Sequence, residues 1–208
     1  MIDTKNFIIN NSLKYIQSKT DYSEVKLKEI KYGLEAIYLT ITKFIFVCII
    51  SLILGILKEM IIFTLLFNIL RLTAFGLHAT KTWICLVSTT ILFIGLPILC
   101  MHVSLQIYIK IICCSIGILL MFKNSPADTK KKPIVSKKLR VKYKYISVII
   151  SIVYSFACIL TNNNFISNSL MLSLILQNLM ISPLIYRIFR LPYNNYIEYL
   201  KKHPEYSE

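Results

Sequence analysis

The stretch from Ala36 to Leu57 reads AIYLTITKFIFVCIISLILGIL and carries a single charged residue, Lys43. It is long enough to cross the hydrocarbon core of a bilayer, which takes roughly 20 apolar residues in a helix. The whole chain has the same character, because 56% of its 208 residues are hydrophobic and only 16% are charged. An average soluble domain has about 25% charged residues. The sequence therefore predicts an all-α protein that spans a membrane several times.

Five more apolar stretches follow the first one, so we predict a bundle of about six transmembrane helices preceded by amphipathic N-terminal helices. The predicted spans are Ala36–Leu57, Ile61–Phe75, Trp83–Val103, Leu105–Phe122, Tyr145–Leu160 and Phe165–Tyr186. The chain is expected to form one membrane domain over residues 1–208. Its expected parts are amphipathic surface helices (1–35), the six-span bundle (36–187) with a basic loop (123–144), and a cytoplasmic tail (188–208).

The N-terminal helices are predicted from apolar residues at helical spacing, such as Ile9, Leu13 and Ile16. Asp21, followed three residues later by Glu24, resembles a helix N-cap pair. A helix with one apolar face lies well on a membrane surface. Whether these helices only anchor the first span or also handle a substrate is left open.

Positive charge is distributed unevenly between alternate connections of the predicted spans. Nine Lys and Arg lie within 123–144 and six Lys precede the first span, whereas the segments 58–60, 102–104 and 161–164 hold only Lys58. The positive-inside rule then predicts that both termini, the basic loop and the segment 71–81 are cytoplasmic. The net charge of +14 is explained by this topology, so we expect no nucleic-acid partner.

Two chemically reactive residues, His78 and Cys85, lie in the stretch RLTAFGLHATKTWIC, residues 71–85. A thiolate is a nucleophile, and a nearby imidazole can take its proton. On one straight helix the two side chains would be about 10.5 Å apart along the axis, too far for proton transfer. We therefore expect a break near Gly76 and a new helix capped by Thr82, with Cys85 at its third position, where the helix dipole favours a thiolate.

The alternative is that His78 and Cys85 have no chemical role at the membrane interface. A metal site is not expected, because only these two candidate ligands lie near each other in sequence. The six cysteines show no CxxC spacing, so neither a disulfide framework nor a zinc site is predicted. In the loop NSPADTKKKPIVSKK (124–138), Asp128 is the only acid. It could orient an imidazole, or cap a turn or pair with neighbouring lysines.

Two stretches resemble a known family. RLTAFGLHATKTWIC resembles the active-site stretch of the accessory gene regulator B (AgrB) family, which has Arg, then Gly-x-His-Ala, then Cys seven residues after the His. SPADTKKKPI resembles the Pro-Ala-x-Thr-x-x-Lys-Pro-Ile segment of that family. The length, the amphipathic N-terminus and the six predicted spans match as well, so the resemblance covers essentially the whole chain.

This resemblance implies a membrane-embedded cysteine endopeptidase of Gram-positive quorum sensing, in the bacterial cell membrane, that needs no cofactor. Its substrate would be an AgrD-type precursor peptide with an acidic C-terminal tail. The enzyme would cleave off the tail through an acyl-enzyme thioester and promote cyclisation of the remaining peptide to a thiolactone or lactone signal.

The resemblance also assigns roles to residues by their position in the motifs. It implies that Cys85 is the nucleophile and His78 its base, with Arg71 and Gly76 in support. Asp128 is a further candidate, at a family position that is not always acidic. Many members have a second Gly where this chain has Phe75, so the turn is less permissive here.

A basic loop can attract an acidic tail over some distance. Its candidate substrate-binding residues are Lys130, Lys131, Lys132, Lys137 and Lys138. The expected partners are the precursor peptide and the lipid bilayer, and a homodimer is left open. Two other functions remain: a transporter that exports the peptide, and a non-catalytic membrane scaffold of the same signalling system. The chain has no Walker motif and no evident inverted repeat, and a scaffold would not need Cys85.

Overall fold

The computed structural model of the chain describes residues 2–20, 22–77, 82–129 and 133–203. These residues form nine α-helices and no extended strand, which confirms the predicted all-α class. The helices are α1 (Ile2–Gln17), α2 (Glu24–Ile53), α3 (Leu57–Ala74), α4 (Thr82–His102), α5 (Ile107–Asn124), α6 (Lys137–Leu160), α7 (Asn164–Ile181), α8 (Pro183–Ile188) and α9 (Asn195–Lys202).

Five of the described helices are long and apolar enough to cross a membrane, namely α2, α4, α5, α6 and α7. The chain thus has the character of a multi-pass membrane protein, as predicted. The second predicted span corresponds to α3, which has 18 residues but carries Lys58, Glu59 and Arg71. These three charges keep α3 outside the set of apolar helices, although both its ends agree with the predicted span to within a few residues.

Three helix boundaries differ from the sequence prediction for local reasons. The amphipathic stretch before the first span is continuous with that span in the 30-residue helix α2. The N-cap of α2 is Ser23 rather than the predicted Asp21, which lies outside the described residues. Residues 137–144, predicted as part of the basic loop, form the first turns of α6, where Ser136 Oγ accepts a hydrogen bond from the Leu139 amide. The sixth predicted span is divided at Pro183, which keeps Ser182 extended and so ends α7 at Ile181.

The chain divides into two compact units, Met1–Leu54 and Gly55–Glu208. In the first unit α1 packs against α2, and Lys5 Nζ lies 3.5 Å from a carboxylate oxygen of Glu35. In the second unit α7 is the central helix, because it contacts α3, α4, α5 and α6. Of its apolar window 61% is buried, against 28% or less in the other candidate spans.

Polar side chains on α7 bind it to its neighbours. Asn168 Nδ2 donates to the carbonyls of Cys100 (3.1 Å) and Val103 (2.6 Å) at the end of α4. Asn178 Nδ2 donates to the Gly117 carbonyl of α5 at 3.0 Å. Such interhelical hydrogen bonds are a common means of association where lipid removes the usual hydrophobic driving force. The bonds of Asn168 fix the register of α7 against α4, and the bond of Asn178 adds a contact with α5.

Candidate functional site

The site is organised around the turn Phe75–Leu77, here called the motif turn, which leads from α3 to His78. Phe75 has φ 55° and ψ −127°, and Gly76 has φ 112°. Only glycine adopts such a conformation without steric strain, so Phe75 is a strained residue. The helix therefore ends at Ala74, and the chain turns sharply just before the histidine of the motif.

Arg71 holds the motif turn from its own helix. Its Nη1 donates to the Phe75 carbonyl at 3.2 Å and its Nη2 donates to the Leu77 carbonyl at 2.6 Å. The half-buried guanidinium thus folds back over the end of α3 and binds two carbonyls of the turn that follows it. A guanidinium can do this because its planar fork presents several donors at once.

The second motif stretch holds the turn from another side. The Gly76 amide donates to the Ala127 carbonyl at 3.0 Å, and the Ala127 amide donates to the Ala74 carbonyl at 3.0 Å. Phe75 and Ala127 thereby form an isolated parallel β-bridge. The two stretches that carry the family resemblance are thus in direct backbone contact, although they are far apart in sequence.

Helix α7 holds the turn from a third side. Gln177 Nε2 donates to the Phe75 carbonyl at 2.8 Å, and the Leu77 amide donates to the Met180 carbonyl at 3.1 Å. A Cβ added at Gly76 would lie 2.7 Å from that same Met180 oxygen. Gln177 and Met180 are not among the site residues predicted from the sequence. The available signal was a pair of polar amides, Gln177 and Asn178, inside an apolar stretch.

Cys85 lies in the first turn of α4 and is half-buried, with its Sγ 3.9 Å from Thr89 Oγ1. The Arg71 guanidinium is near enough to Cys85 for an electrostatic interaction between the two side chains. This arrangement brings the predicted nucleophile and Arg71 to the same end of the second unit. The structure does not describe His78, Lys130, Lys131 or Lys132. Helix α4 begins at Thr82 itself, so the predicted cap at Thr82 is wrong by one residue and Cys85 is the fourth residue of the helix rather than the third.

Asp128 is buried, and both its carboxylate oxygens are bonded. Oδ1 accepts from the Asn195 amide at 2.9 Å and Oδ2 accepts from the Tyr196 amide at 2.7 Å. These are the first amides of α9, and a carboxylate at a helix N-terminus is favoured by both hydrogen bonding and the helix dipole. The Tyr186 hydroxyl donates to the Asp128 carbonyl at 3.0 Å. Asp128 thus caps the N-terminus of a distant helix, whereas His78 and Lys130–Lys132, its other predicted partners, lie outside the described residues.

Tyr193, in the segment between α8 and α9, also fastens the C-terminal part to the loop. Burial, followed by the charge of Asp128, raises the pKa of the Tyr193 phenol. The phenol therefore remains protonated and donates to the Asn124 carbonyl at 3.5 Å. Its ring also packs edge-to-face on Tyr186, with the ring centroids 5.1 Å apart.

A family model described as accessory gene regulator B matches residues 9–181. The chain belongs to the accessory gene regulator B family. The AgrB match ends at residue 181, so α8 and α9 lie beyond it. The first amides of α9 are those that bind Asp128.

Individual AgrB relatives cover most of the chain. A protein described as AgrB-like from Clostridium acetobutylicum is 30% identical over 175 residues, which is 84% of each chain. Another from Listeria monocytogenes serotype 4a is 30% identical over 171 residues, 82% of this chain and 84% of that one. The accessory gene regulator protein B of Staphylococcus aureus is 26% identical over 178 residues, 86% of this chain and 94% of that one. No solved structure matches the chain.

The strain at Phe75 leads to a prediction about stability. We expect Phe75→Gly to be more stable than Phe75→Ala by about 1–2 kcal/mol, because glycine removes the strain of a positive φ whereas alanine keeps it. Both variants lose the edge-to-face contact with Tyr143, in which the ring centroids are 5.0 Å apart. The measurement is thermal unfolding of the purified variants in detergent.

Phe156, an exposed residue inside α6, provides the matched control for that comparison. There the order should be reversed, with Ala more stable than Gly by about 1 kcal/mol, since glycine is a poor helix former. Equal stability of Phe75→Gly and Phe75→Ala would show that the turn has no strain to relieve.

Proposed function

We propose that this chain is a membrane-embedded cysteine endopeptidase that removes the acidic C-terminal tail of an AgrD-type precursor and promotes cyclisation of the remaining peptide in quorum sensing. The observation that carries the proposal is the motif turn. It is fixed from α3, from the 125–128 loop and from α7 directly before His78. Cys85 lies in the first turn of the next helix, within electrostatic range of Arg71. Such multiple fixing is expected where a base and a nucleophile must keep a set distance.

In the proposed reaction His78 takes the proton of the Cys85 thiol, and the thiolate attacks the carbonyl carbon of the scissile peptide bond. The carbon–nitrogen bond breaks, His78 returns the proton to the leaving amine, and the tail departs. The shortened peptide remains on Cys85 as a thioester.

The second half of the reaction closes the ring. A thiol or hydroxyl of the bound peptide attacks the thioester carbonyl, its proton passes to His78, and the Cys85 thiolate leaves and is reprotonated. Water in the same role would give a linear acid, so a site at the membrane that excludes water favours the cyclic product. No cofactor is needed, because the thioester keeps the acyl group activated for transfer.

The proposal is tested by trapping the thioester. A precursor in which Ala replaces the ring-forming residue is incubated with the full chain in lipid nanodiscs. We expect one equivalent of tail to be released and the mass of the Cys85-containing peptide to rise by that of the acyl group. Hydroxylamine, which cleaves thioesters, should remove this added mass. A transporter or a scaffold would release no tail. Tail release without an adduct on Cys85 would contradict the thioester route.

The proposed location is the cell membrane, with both termini and the motif turn on the cytoplasmic side. The basis is the uneven distribution of Lys and Arg between alternate connections. In a variant without native cysteines, Lys130→Cys should be protected in intact cells from a membrane-impermeant thiol reagent, and Asn162→Cys should react. Labelling of position 130 from outside would refute this orientation.

The basic loop is expected to act in capture of the substrate rather than in the chemical step. Lys137 and Lys138 are exposed in the first turn of α6, and exposed charges act mainly through long-range attraction that salt screens over about 8 Å. Replacing Lys130, Lys131, Lys132, Lys137 and Lys138 by Gln should therefore raise KM for an acidic precursor by about tenfold at low salt and leave kcat within about twofold. Steady-state kinetics in nanodiscs measure both quantities.

A variant that loses the same charge elsewhere is the control for this prediction. It carries Gln in place of Lys5, Lys14, Lys26, Lys28 and Lys31, and its KM should change much less. Raising the salt concentration should bring the KM of the wild-type chain towards that of the loop variant. An unchanged KM in a loop variant that inserts correctly would mean that these lysines serve topology alone.

A further inference from the structure

Gln177 is a fully buried amide at the C-terminal end of α7, at the point where this helix meets the motif turn. Its Nε2 shares the Phe75 carbonyl with Nη1 of Arg71, at 2.8 Å and 3.2 Å. That carbonyl belongs to the strained residue of the turn. Two donors from two different helices therefore converge on the carbonyl of a strained residue.

A buried amide at position 177 lowers the stability of the fold unless its hydrogen bond to Phe75 compensates. Burying a polar side chain without full hydrogen bonding is unfavourable by about 1–3 kcal/mol. Gln177 Oε1 is buried and has no hydrogen-bond partner among the residues that the structure describes. A Leu or Met would fill the same space in the apolar interior without that penalty. The interaction that distinguishes Gln from these residues is its bond to the motif turn.

The two donors on the Phe75 carbonyl have different mechanical effects. Arg71 is on α3, the helix that the turn itself ends, so its bonds fix the turn only relative to that helix. Gln177 is on α7, which Asn168 binds to the end of α4. A bond from Gln177 therefore fixes the turn relative to the central helix, and through it relative to α4, which carries Cys85.

We infer that Gln177 is a positioning residue for the Cys85–His78 pair: by holding the Phe75 carbonyl, it sets the path of the chain into His78 and so the distance from the imidazole to the thiol. The inference rests on the proposed cysteine chemistry. Gln177 does not touch the reacting atoms in this scheme. Its removal should leave binding of the precursor nearly unchanged and slow the chemical step.

The experiment uses the full chain in nanodiscs, with the five other cysteines replaced so that only Cys85 reacts with iodoacetamide. Gln177→Met keeps the size of the side chain and removes its donor. We expect kcat to fall about 10–100-fold with KM within about twofold, since misplacement by about 1 Å can cost that much. The pH profile of the Cys85 alkylation rate should also shift to higher pH, because the thiol loses a well-placed base.

Asn178 is the matched control. It is the neighbouring residue, is also buried, and donates its amide hydrogens to the carbonyls of Gly117 and Leu174 rather than to the motif turn. Asn178→Leu should lower thermal stability at least as much as Gln177→Met and yet keep the wild-type pH profile of alkylation. If Asn178→Leu shifts that profile equally, Gln177 has only a general packing role and the inference is overturned.

A third variant covers the case in which Gln177→Met does not accumulate. Gln177→Glu can donate to Phe75 only while its carboxyl is protonated, so its kcat relative to wild type should decline as pH rises. A pH-independent ratio would overturn the inference.

His78→Ala distinguishes failure of the inference from failure of the proposed function. If it changes the alkylation profile and Gln177→Met does not, the inference fails and the proposed function stands. If His78→Ala itself changes nothing, the proposed function fails and the inference fails with it.

Discussion

Replacing Cys85 by Ala is expected to lower cleavage of the precursor tail to less than about one thousandth of the wild-type rate, because no other group at this end of the bundle can form the thioester. Cys85→Ser should be nearly as inactive, since a hydroxyl is a much weaker nucleophile than a thiolate at neutral pH. The assay is the shift of a tagged precursor on a gel, with insertion of the variant in the membrane checked separately.

The control changes the remaining cysteines together and should keep activity within a few-fold of wild type. These are Cys48, Cys100, Cys113, Cys114 and Cys158. Cys100, Cys114 and Cys158 are buried in the second unit and fill space as small hydrophobic residues do. Cleavage that survives in Cys85→Ala would exclude the cysteine mechanism.

Gly76→Ala should destabilise the second unit by about 2–4 kcal/mol and lower the rate of tail cleavage by about a hundredfold or more. The added Cβ would lie 2.7 Å from the Met180 carbonyl oxygen, and alanine strongly disfavours a φ of 112°. The turn can relieve this contact only by moving away from α7, which would displace the residues that follow it. Thermal unfolding and tail cleavage are measured on the same preparation.

Gly95 provides the comparison, because it lies inside α4 with no atom within 4 Å of an added Cβ. Gly95→Ala should leave activity unchanged and raise stability by about 0.5–1 kcal/mol, the usual gain of alanine over glycine in a helix. If Gly76→Ala behaves like Gly95→Ala, the close approach of the motif turn to α7 has no functional weight.

The spans could be predicted well where hydrophobicity alone decides the boundary. Trp83–Val103 was predicted and α4 covers Thr82–His102, since the bilayer thickness sets the length of an apolar run. The start of α6 could not be found in this way. Its first turns are rich in Lys, and their helical state depends on the cap at Ser136 rather than on an apolar face.

The site could be predicted in part. Cys85, His78 and a break near Gly76 follow from residue type and spacing, and α3 does end at Ala74. Gln177 could not be assigned in advance, because its role depends on which carbonyl α7 meets after five helices have packed. The role of Asp128 was ambiguous for the same reason. Its partners are the amides of residues 195 and 196, and no local sequence pattern predicts so distant a contact.

The hydrogen bonds between the Asp128 carboxylate and the first amides of α9 also predict which positions of related chains must change together. The carboxylate accepts hydrogen bonds from the backbone amides of Asn195 and Tyr196, and its replacement would remove that acceptor from both. We therefore expect a change at position 128 to require a compensating change at residues 195–196. A chimera that exchanges the C-terminal segment between relatives should be more stable when it exchanges residue 128 as well.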